Sequence, residues 1–197
     1  MIKLIYLLRH CSTKWIEEDR LQGRNDIPLS NKGIYEAEQL GCKLKDVPFE
    51  KIYTSDLLRA YQTASIISKY HNCQLVKEQD LREISLGVLE GLTREECKVL
   101  YPDLWNNWQL MPDRVTFPEG DNVEDFIKVS WNTFDRISRR SEKIILIVSH
   151  GVFIRSIVAN ILLPENIRTM NRTVKVRSGE FVRIKANRNS YTIIKSD

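Results

Sequence analysis

Much is missing from this 197-residue chain, and each absence excludes something. Its four cysteines (Cys11, Cys42, Cys73 and Cys97) are widely spaced, with no C-x-x-C pair. That argues against a secretory disulfide framework and for a reducing, cytoplasmic setting. None of its three histidines stand at i, i+4 spacing, so no zinc pattern can be written and no metal is expected. There is no P-loop, no G-x-G-x-x-G after a strand and no G-x-S-x-G elbow. No apolar run is long enough to span a membrane, and Arg9 cuts off the opening "MIKLIYLLRH" before it could form a signal h-region. Linkers, repeats and low-complexity tracts are absent too, so one domain over 1–197 is expected.

What is present is ordinary in bulk and uneven in detail. Hydrophobic residues make up 42% and charged residues 28% of the chain, a globular balance with material for a real core. The net charge of +4 sits late: Pro164 to Asp197 holds eight Lys/Arg against three Asp/Glu, while the first 163 residues hold 22 against 23. Such a basic end either steers an anionic substrate or guards an edge strand with solvated Lys and Arg. The expected partner is a phosphorylated small molecule, with neither nucleic acid nor membrane involved, and the oligomeric state is left open.

Strand-like segments lie at 3–9 (KLIYLLR), 51–55 (KIYTS), 73–78 (CQLVKE) and 143–150 (KIILIVSH), followed by the pair GEFVRIKA and YTIIKS. The first and fourth are apolar on both alternating faces, as parallel strands covered on both sides must be. The last two, joined through NRNS, read as an antiparallel hairpin. Helical patterns fill the gaps. One begins at Ser30, a good N-cap, with Ile34, Ala37, Leu40 and Leu44 on one face. Another starts at Ser55 or Asp56, a third runs from about Asp121 with acids first and bases last, and VFIRSIVANILL closes the series. The alternation predicts an α/β fold: a three-layer α/β/α sandwich, its central sheet mostly parallel with an antiparallel C-terminal edge hairpin. Residues 86–120, rich in Trp and Pro, read as a cap-like excursion over one end of the sheet.

In open α/β sheets, ligands bind outside the carboxyl ends of the parallel strands. The first strand ends in Arg9 and His10, and the fourth in Ser149, His150 and Gly151. The second ends in Thr54 and Ser55, with Arg59 following in the next helix. Parallel strands would bring Arg9, His10, Arg59 and His150 to one edge. Two guanidiniums can fork onto phosphoryl oxygens, and the N-terminus of the helix carrying Arg59 adds partial positive charge. A neutral imidazole can attack phosphorus without a metal if one ring nitrogen holds its proton against an acceptor and the other lone pair is free. A second histidine can donate to an equatorial oxygen. Singly, each residue has a plainer reading: Arg9–His10 as a capping pair, Arg59 as a partner of Asp56, His150 as a satisfied histidine at a turn, His71 as a surface residue.

Five blocks now stand out: RHCST (9–13), LQGRNDIPLSNKGIYEAEQLG (21–41), YTSDLLRAYQTASII (53–67), LREISLGVLEGLT (81–93) and IVSHGVFIRSIV (147–158). Together, in family order over nearly the whole chain, they resemble the phosphoglycerate mutase-like branch of the histidine phosphatase superfamily. The resemblance implies an α/β/α sandwich with no metal or organic cofactor. It implies that His10 is the phosphorylated nucleophile, that Arg9 and Arg59 bind phosphate and that His150 is the second pocket histidine. Glu83 matches the proton donor to the leaving group. Gln22 and Gly23 fall in the loop bordering the pocket, and Gly151 stands with His150 among the substrate-binding positions. From the residues alone Glu83 is an exposed acid between apolar neighbours. The implied role needs its carboxyl protonated near neutrality, which burial can arrange.

The match has departures. Cys11 replaces the glycine of R-H-G-x-T; its Cβ restricts the backbone, and a thiol near a cationic pocket is expected to be acidified and sensitive to oxidation. Ile16 stands where many relatives have a phosphate-contacting Asn, a loss of about 1.5–3 kcal/mol of phosphate affinity. "EGDNVEDF" replaces a G-E-S segment, and Asp121 with Glu124 or Asn122 with Asp125 has cap-like spacing. The function expected is a metal-independent phosphomonoesterase. A mutase-type isomerase is one alternative, though such members tend to be longer, with an insertion that closes the site. A phosphoprotein phosphatase or phosphate-binding regulatory module is another. Trp105, Trp108, Met111 and Phe117 either line a lid or pack the excursion onto the core.

Overall fold

A computed structural model describes residues 3–187 and 190–194, apart from the side chain of Arg168. Its strands are β1 (Lys3–Arg9), β2 (Lys51–Thr54), β3 (Gln74–Lys77), β4 (Ile144–Ser149), β5 (Phe181–Ala186) and β6 (Tyr191–Ile194). They form one sheet in the order β3-β2-β4-β1-β5-β6. The first four in that order run parallel; β5 pairs antiparallel with β1, and β6 antiparallel with β5. The mixed sheet with its antiparallel edge pair is as expected, though part of the NRNS connection lies outside the described residues.

Helices α1 (Lys14–Glu17), α2 (Asn31–Leu44), α3 (Leu58–Ser68), α4 (Arg94–Leu100), α5 (Pro102–Leu110), α6 (Val123–Ser138), α7 (Gly151–Leu162) and α8 (Met170–Thr173) surround the sheet. The period-2 alternation of β1 divides the core. Tyr6 and Leu8 pack with Leu44 of α2 and Ala60, Ala64 and Ile67 of α3. Ile5 and Leu7 pack on the other face with Phe134 and Ile137 of α6 and Phe153 and Ile157 of α7. A strand buried on both faces must be apolar at every position, which is why β1 and β4 show no polar alternation.

Helix starts follow local chemistry, with two corrections. Ser30 accepts the Gly33 N–H and Asn122 accepts the Asp125 N–H, as N-caps do. Asp121 does not cap: its Oδ2 accepts the Ser85 N–H and Arg24 Nη2, each at 2.8 Å. Neither Ser55 nor Asp56 caps α3. Asp26, distant in sequence, accepts the Leu58 N–H at 2.6 Å, while Asp56 pairs with Arg82. His71 is not a free surface ring either, since it packs edge-on against Phe49 with ring centroids 4.9 Å apart.

Gly33 sets how closely α2 approaches the loop after β1. A Cβ there would overlap the Ser12 carbonyl oxygen, so the helix can close onto that loop only with glycine at this point. In the 86–120 segment, Trp105 and Phe117 are buried packing residues, and Trp108 stacks edge-on against Phe117 at 5.3 Å. Met111 is exposed. Among the described residues, no helix is long and apolar enough to cross a membrane.

Candidate active site

At the carboxyl ends of β1, β2 and β4 lies a cleft of about 550 Å³, lined by Arg9, His10, Gln22, Gly23, Arg59, Glu83 and Gly151 among others. The register sets Arg9 beside Ser149, and the His10 N–H donates to the Ser149 carbonyl at 2.9 Å. Two strand ends thus carry their next residues, His10 and His150, to ring centroids 5.2 Å apart. Arg9 and His10 from the end of β1, His150 just past β4 and Arg59 in the first turn of α3 after β2 thus gather at one edge of the sheet, as parallel pairing requires.

His10 Nδ1 lies 2.8 Å from the Cys11 carbonyl oxygen. A carbonyl only accepts, so the proton sits on Nδ1 and the Nε2 lone pair is left over. Burial, then the charges of Arg59 and Arg9, hold the ring's pKa well below the ordinary histidine range, so it is neutral. His150 is fully buried and stands behind the cleft surface rather than on it. Both its ring nitrogens are buried without a partner among the described residues, and burial with the Arg59 charge again pushes its pKa well down.

The two arginines are half committed. Arg9 Nη1 donates to the Val176 carbonyl at 2.8 Å. Arg59 donates through Nη1 to Asn25 O and through Nη2 to Gly23 O, both at 2.7 Å. The Nε–H of each is buried and has no partner among the described residues. Burial lowers the Arg59 pKa to about 10, with the Glu83 and Asp26 carboxylates opposing the shift. The plainer reading of Arg59 as an Asp56 partner fails, because it is buried and Asp56 belongs to Arg82.

The bordering loop is held by a residue that periodicity did not single out. Glu90 Oε1 accepts the Arg24 and Leu86 N–H groups, and Oε2 accepts Asn25 Nδ2 at 2.6 Å. Gly23, at φ +49°, presents its carbonyl to Arg59; a Cβ there would overlap the Glu90 carboxylate. Gln22 Oε1 accepts the Thr13 hydroxyl at 3.0 Å, which leaves its NH2 as the donor. Ser12 is fixed by Glu36, which accepts from its N–H and its hydroxyl.

Glu83 is nearly buried at 9% exposure, and backbone donors rather than apolar side chains surround its carboxyl group. Its oxygens accept the N–H groups of Val152 at 3.0 Å, Phe153 at 3.3 Å and Ile84 at 3.2 Å. These contacts place the Glu83 carboxyl group at the N-terminus of α7. Cys11 overturns its expectation too. It is buried among Leu29 and Ala37, and burial pushes the thiol pKa up to about 12, so it is neither acidified nor reactive. Its φ is not positive, so it imposes no left-handed strain on the backbone. Ile16 lines the cleft as an apolar wall.

Five cations that were not predicted also line it: Arg20, Arg94, Arg155, Lys175 and Arg177. Lys175 and Arg177 belong to the basic end of the chain, so part of that charge faces the cleft rather than guarding an edge. Arg155 carried a readable signal: it is the one charge in an otherwise neutral helix, one turn after Gly151. Among the described residues, no group of three or more His, Cys, Asp or Glu could hold a metal ion.

The neutral histidines make stability depend on pH. In the unfolded chain a histidine titrates near 6.5, whereas these two resist protonation in the fold. Below about pH 6.5 the unfolded chain therefore binds protons that the native one does not, and stability falls as pH falls, by up to about 1.4 kcal/mol per pH unit for each ring. Above neutrality the contribution is constant. Urea unfolding between pH 7.5 and 5.5 should show this slope, and His150→Asn should make it shallower by one proton. Identical slopes for the two proteins would contradict the assignment.

The strand-end histidine pair, the flanking arginines and the α/β/α layering define a class. The chain belongs to the histidine phosphatase superfamily, whose branch 1 sequence model matches residues 5–195. Among its relatives is a protein named "Probable phosphoglycerate mutase GpmB" from Escherichia coli, 34% identical over 170 residues, spanning 80% of this chain and 74% of that one. The structure of YhfR from Bacillus stearothermophilus superposes with a TM-score of 0.89 at 28% identity, covering 97% of this chain and 95% of that one. The alpha-ribazole phosphatase from Shigella flexneri shares the fold with a TM-score of 0.83 at 22% identity, covering 97% and 94%.

Proposed function

We propose that this chain is a phosphomonoesterase that hydrolyses a small phosphorylated metabolite through a phosphohistidine on His10. One observation carries this reading: a neutral imidazole with its proton held by Cys11 O and its Nε2 lone pair left over, set between two guanidiniums. The buried Nε–H donors of Arg9 and Arg59 supply hydrogen bonds and charge for the phosphoryl oxygens. Nε2 attacks phosphorus in line, an N–P bond forms, the bond to the leaving oxygen breaks, and Glu83 delivers a proton to that oxygen. Glu83, ionised again, then takes a proton from water; the water oxygen attacks phosphorus and the N–P bond breaks. His150, which the resemblance makes the second pocket histidine, lies buried behind the cleft wall 5.2 Å from His10 and is given no contact with the phosphoryl group in these steps. No metal takes part in these steps. Four unpaired cysteines fit a cytoplasmic setting.

The mutase reading keeps a specific support, the name of the E. coli relative. The two separate by fate of the phosphoryl group. A panel of phosphorylated metabolites in excess chelator, with 3-phosphoglycerate followed for both isomerisation and phosphate release, is expected to show chelator-resistant hydrolysis. Isomerisation primed by a bisphosphate would replace this reading with the mutase, and silence across the panel would favour a phosphate-binding role.

A further inference from the structure

The cleft holds more positive charge than one phosphoryl group needs. Of the five further cations, three are already paired: Arg94 with Asp19, Arg20 with Glu18 and Glu96, Arg177 with Glu180. Arg155 and Lys175 have no acid partner among the described residues. Arg155 is the more telling. Its Nε is buried with no hydrogen-bond partner, and burial lowers its pKa to about 10. The opposing charge it feels most is Glu83, whose oxygens are already occupied by backbone N–H groups of α7 and Ile84. The residue as a whole is half-buried, with only its Nε shut off from solvent, so a partly desolvated cation without a paired anion lines the cleft, an arrangement that an anionic ligand would stabilise.

Position adds to the argument. A long helical side chain leans over the turn before its own Cα, so Arg155 reaches back toward Gly151 and the N-terminus of α7, beside Glu83. A second orphan lies on the same cleft wall. Asn171 Nδ2 donates to the Trp108 carbonyl at 2.6 Å, which leaves Oδ1 as a buried acceptor with no donor. Cation and acceptor both line the cleft, and Arg155 lies near enough to Glu83 and Arg9 to feel their charges, on the Glu83 side, where the leaving group would sit.

We propose that Arg155, assisted by Lys175, forms a second anion subsite that selects phosphomonoesters whose leaving group carries its own carboxylate or phosphate, with Asn171 Oδ1 accepting a hydroxyl of that group. The inference rests on the phosphatase reading for the first subsite, but its test does not require turnover. Three probes that cannot be hydrolysed separate the terms: propylphosphonate, with one anionic head; 3-phosphonopropionate, which adds a carboxylate; and propane-1,3-diphosphonate, which adds a second phosphonate. Calorimetric titration of the full chain should find one or both of the latter two bound about tenfold to a hundredfold more tightly than the first, the range for hydrogen bonds to a charged group. Arg155→Met should erase that preference while propylphosphonate binds unchanged, which also shows that the variant is folded. Whichever bifunctional probe binds better identifies the anion. Equal affinities in the unaltered protein, or an equal loss for all three probes in Arg155→Met, would overturn the second subsite and leave the first standing. Failure of every probe to bind would overturn both.

Discussion

Replacing His10 by alanine is expected to abolish turnover and, with it, the acid-labile phosphate label on the protein. The expected loss is about 10⁴–10⁶-fold, the scale on which removal of a covalent nucleophile is felt. The reason is geometric. Only His10 combines a ring nitrogen tied to a fixed acceptor, a lone pair on the other nitrogen, and a place on the cleft wall between Arg9 and Arg59. His150 is 5.2 Å away but lies behind that wall, so it cannot take over the attack. Because His10 also bonds Cys11 O, His10→Asn is the sharper companion: its amide can still donate to that carbonyl but offers phosphorus no nucleophile. Both variants should melt near the parent and neither should label. Substantial residual turnover in either would dispose of the phosphohistidine.

Glu83→Gln should lower turnover of an alkyl phosphate by roughly 10²–10⁴-fold, the usual worth of a positioned general acid or base. The glutamine keeps one carbonyl oxygen for the N–H groups at the start of α7, so the native fold should persist, somewhat less stable. A purely structural role for Glu83 would lower all substrates alike. A proton-transfer role would not: an aryl phosphate with an acidic phenol needs little protonation of its leaving oxygen. Its phosphohistidine should still form in Glu83→Gln and then accumulate, because water has lost its base. Rapid-quench measurement of label against released phenol distinguishes the two, and uniform loss with no burst would remove Glu83 from the chemistry.

Particular residues show how far the chain could be read in advance. The alternation in KLIYLLR and KIILIVSH announces strands buried on both faces, and the first two side chains past a parallel strand have few places to go. Hence Arg9, His10, Arg59 and His150 could be placed together without coordinates. Ser30 and Asn122 were equally legible, because a capping hydrogen bond spans three residues. Long-range partners were not. Asp121 looks like a cap and instead binds Ser85 and Arg24; α3 takes its cap from Asp26, over thirty residues upstream of Leu58. Glu90 gives no periodic hint that it holds the Gln22–Asn25 loop.

By itself, then, the amino-acid order determined the layering, the parallel direction of the central strands and the edge at which chemistry could occur, since these follow from periodicity and from local bonds only a few residues long. Only the tertiary structure decided the electrostatic state of the groups gathered there: which imidazole nitrogen keeps its proton, that Glu83 caps α7, that the Cys11 thiol is inert, and that Arg155 has no acid partner among the described residues. A charge state depends on how much water surrounds a group and which charges lie within a few ångströms. Those neighbours come from distant stretches of chain, and no spacing along the chain records them.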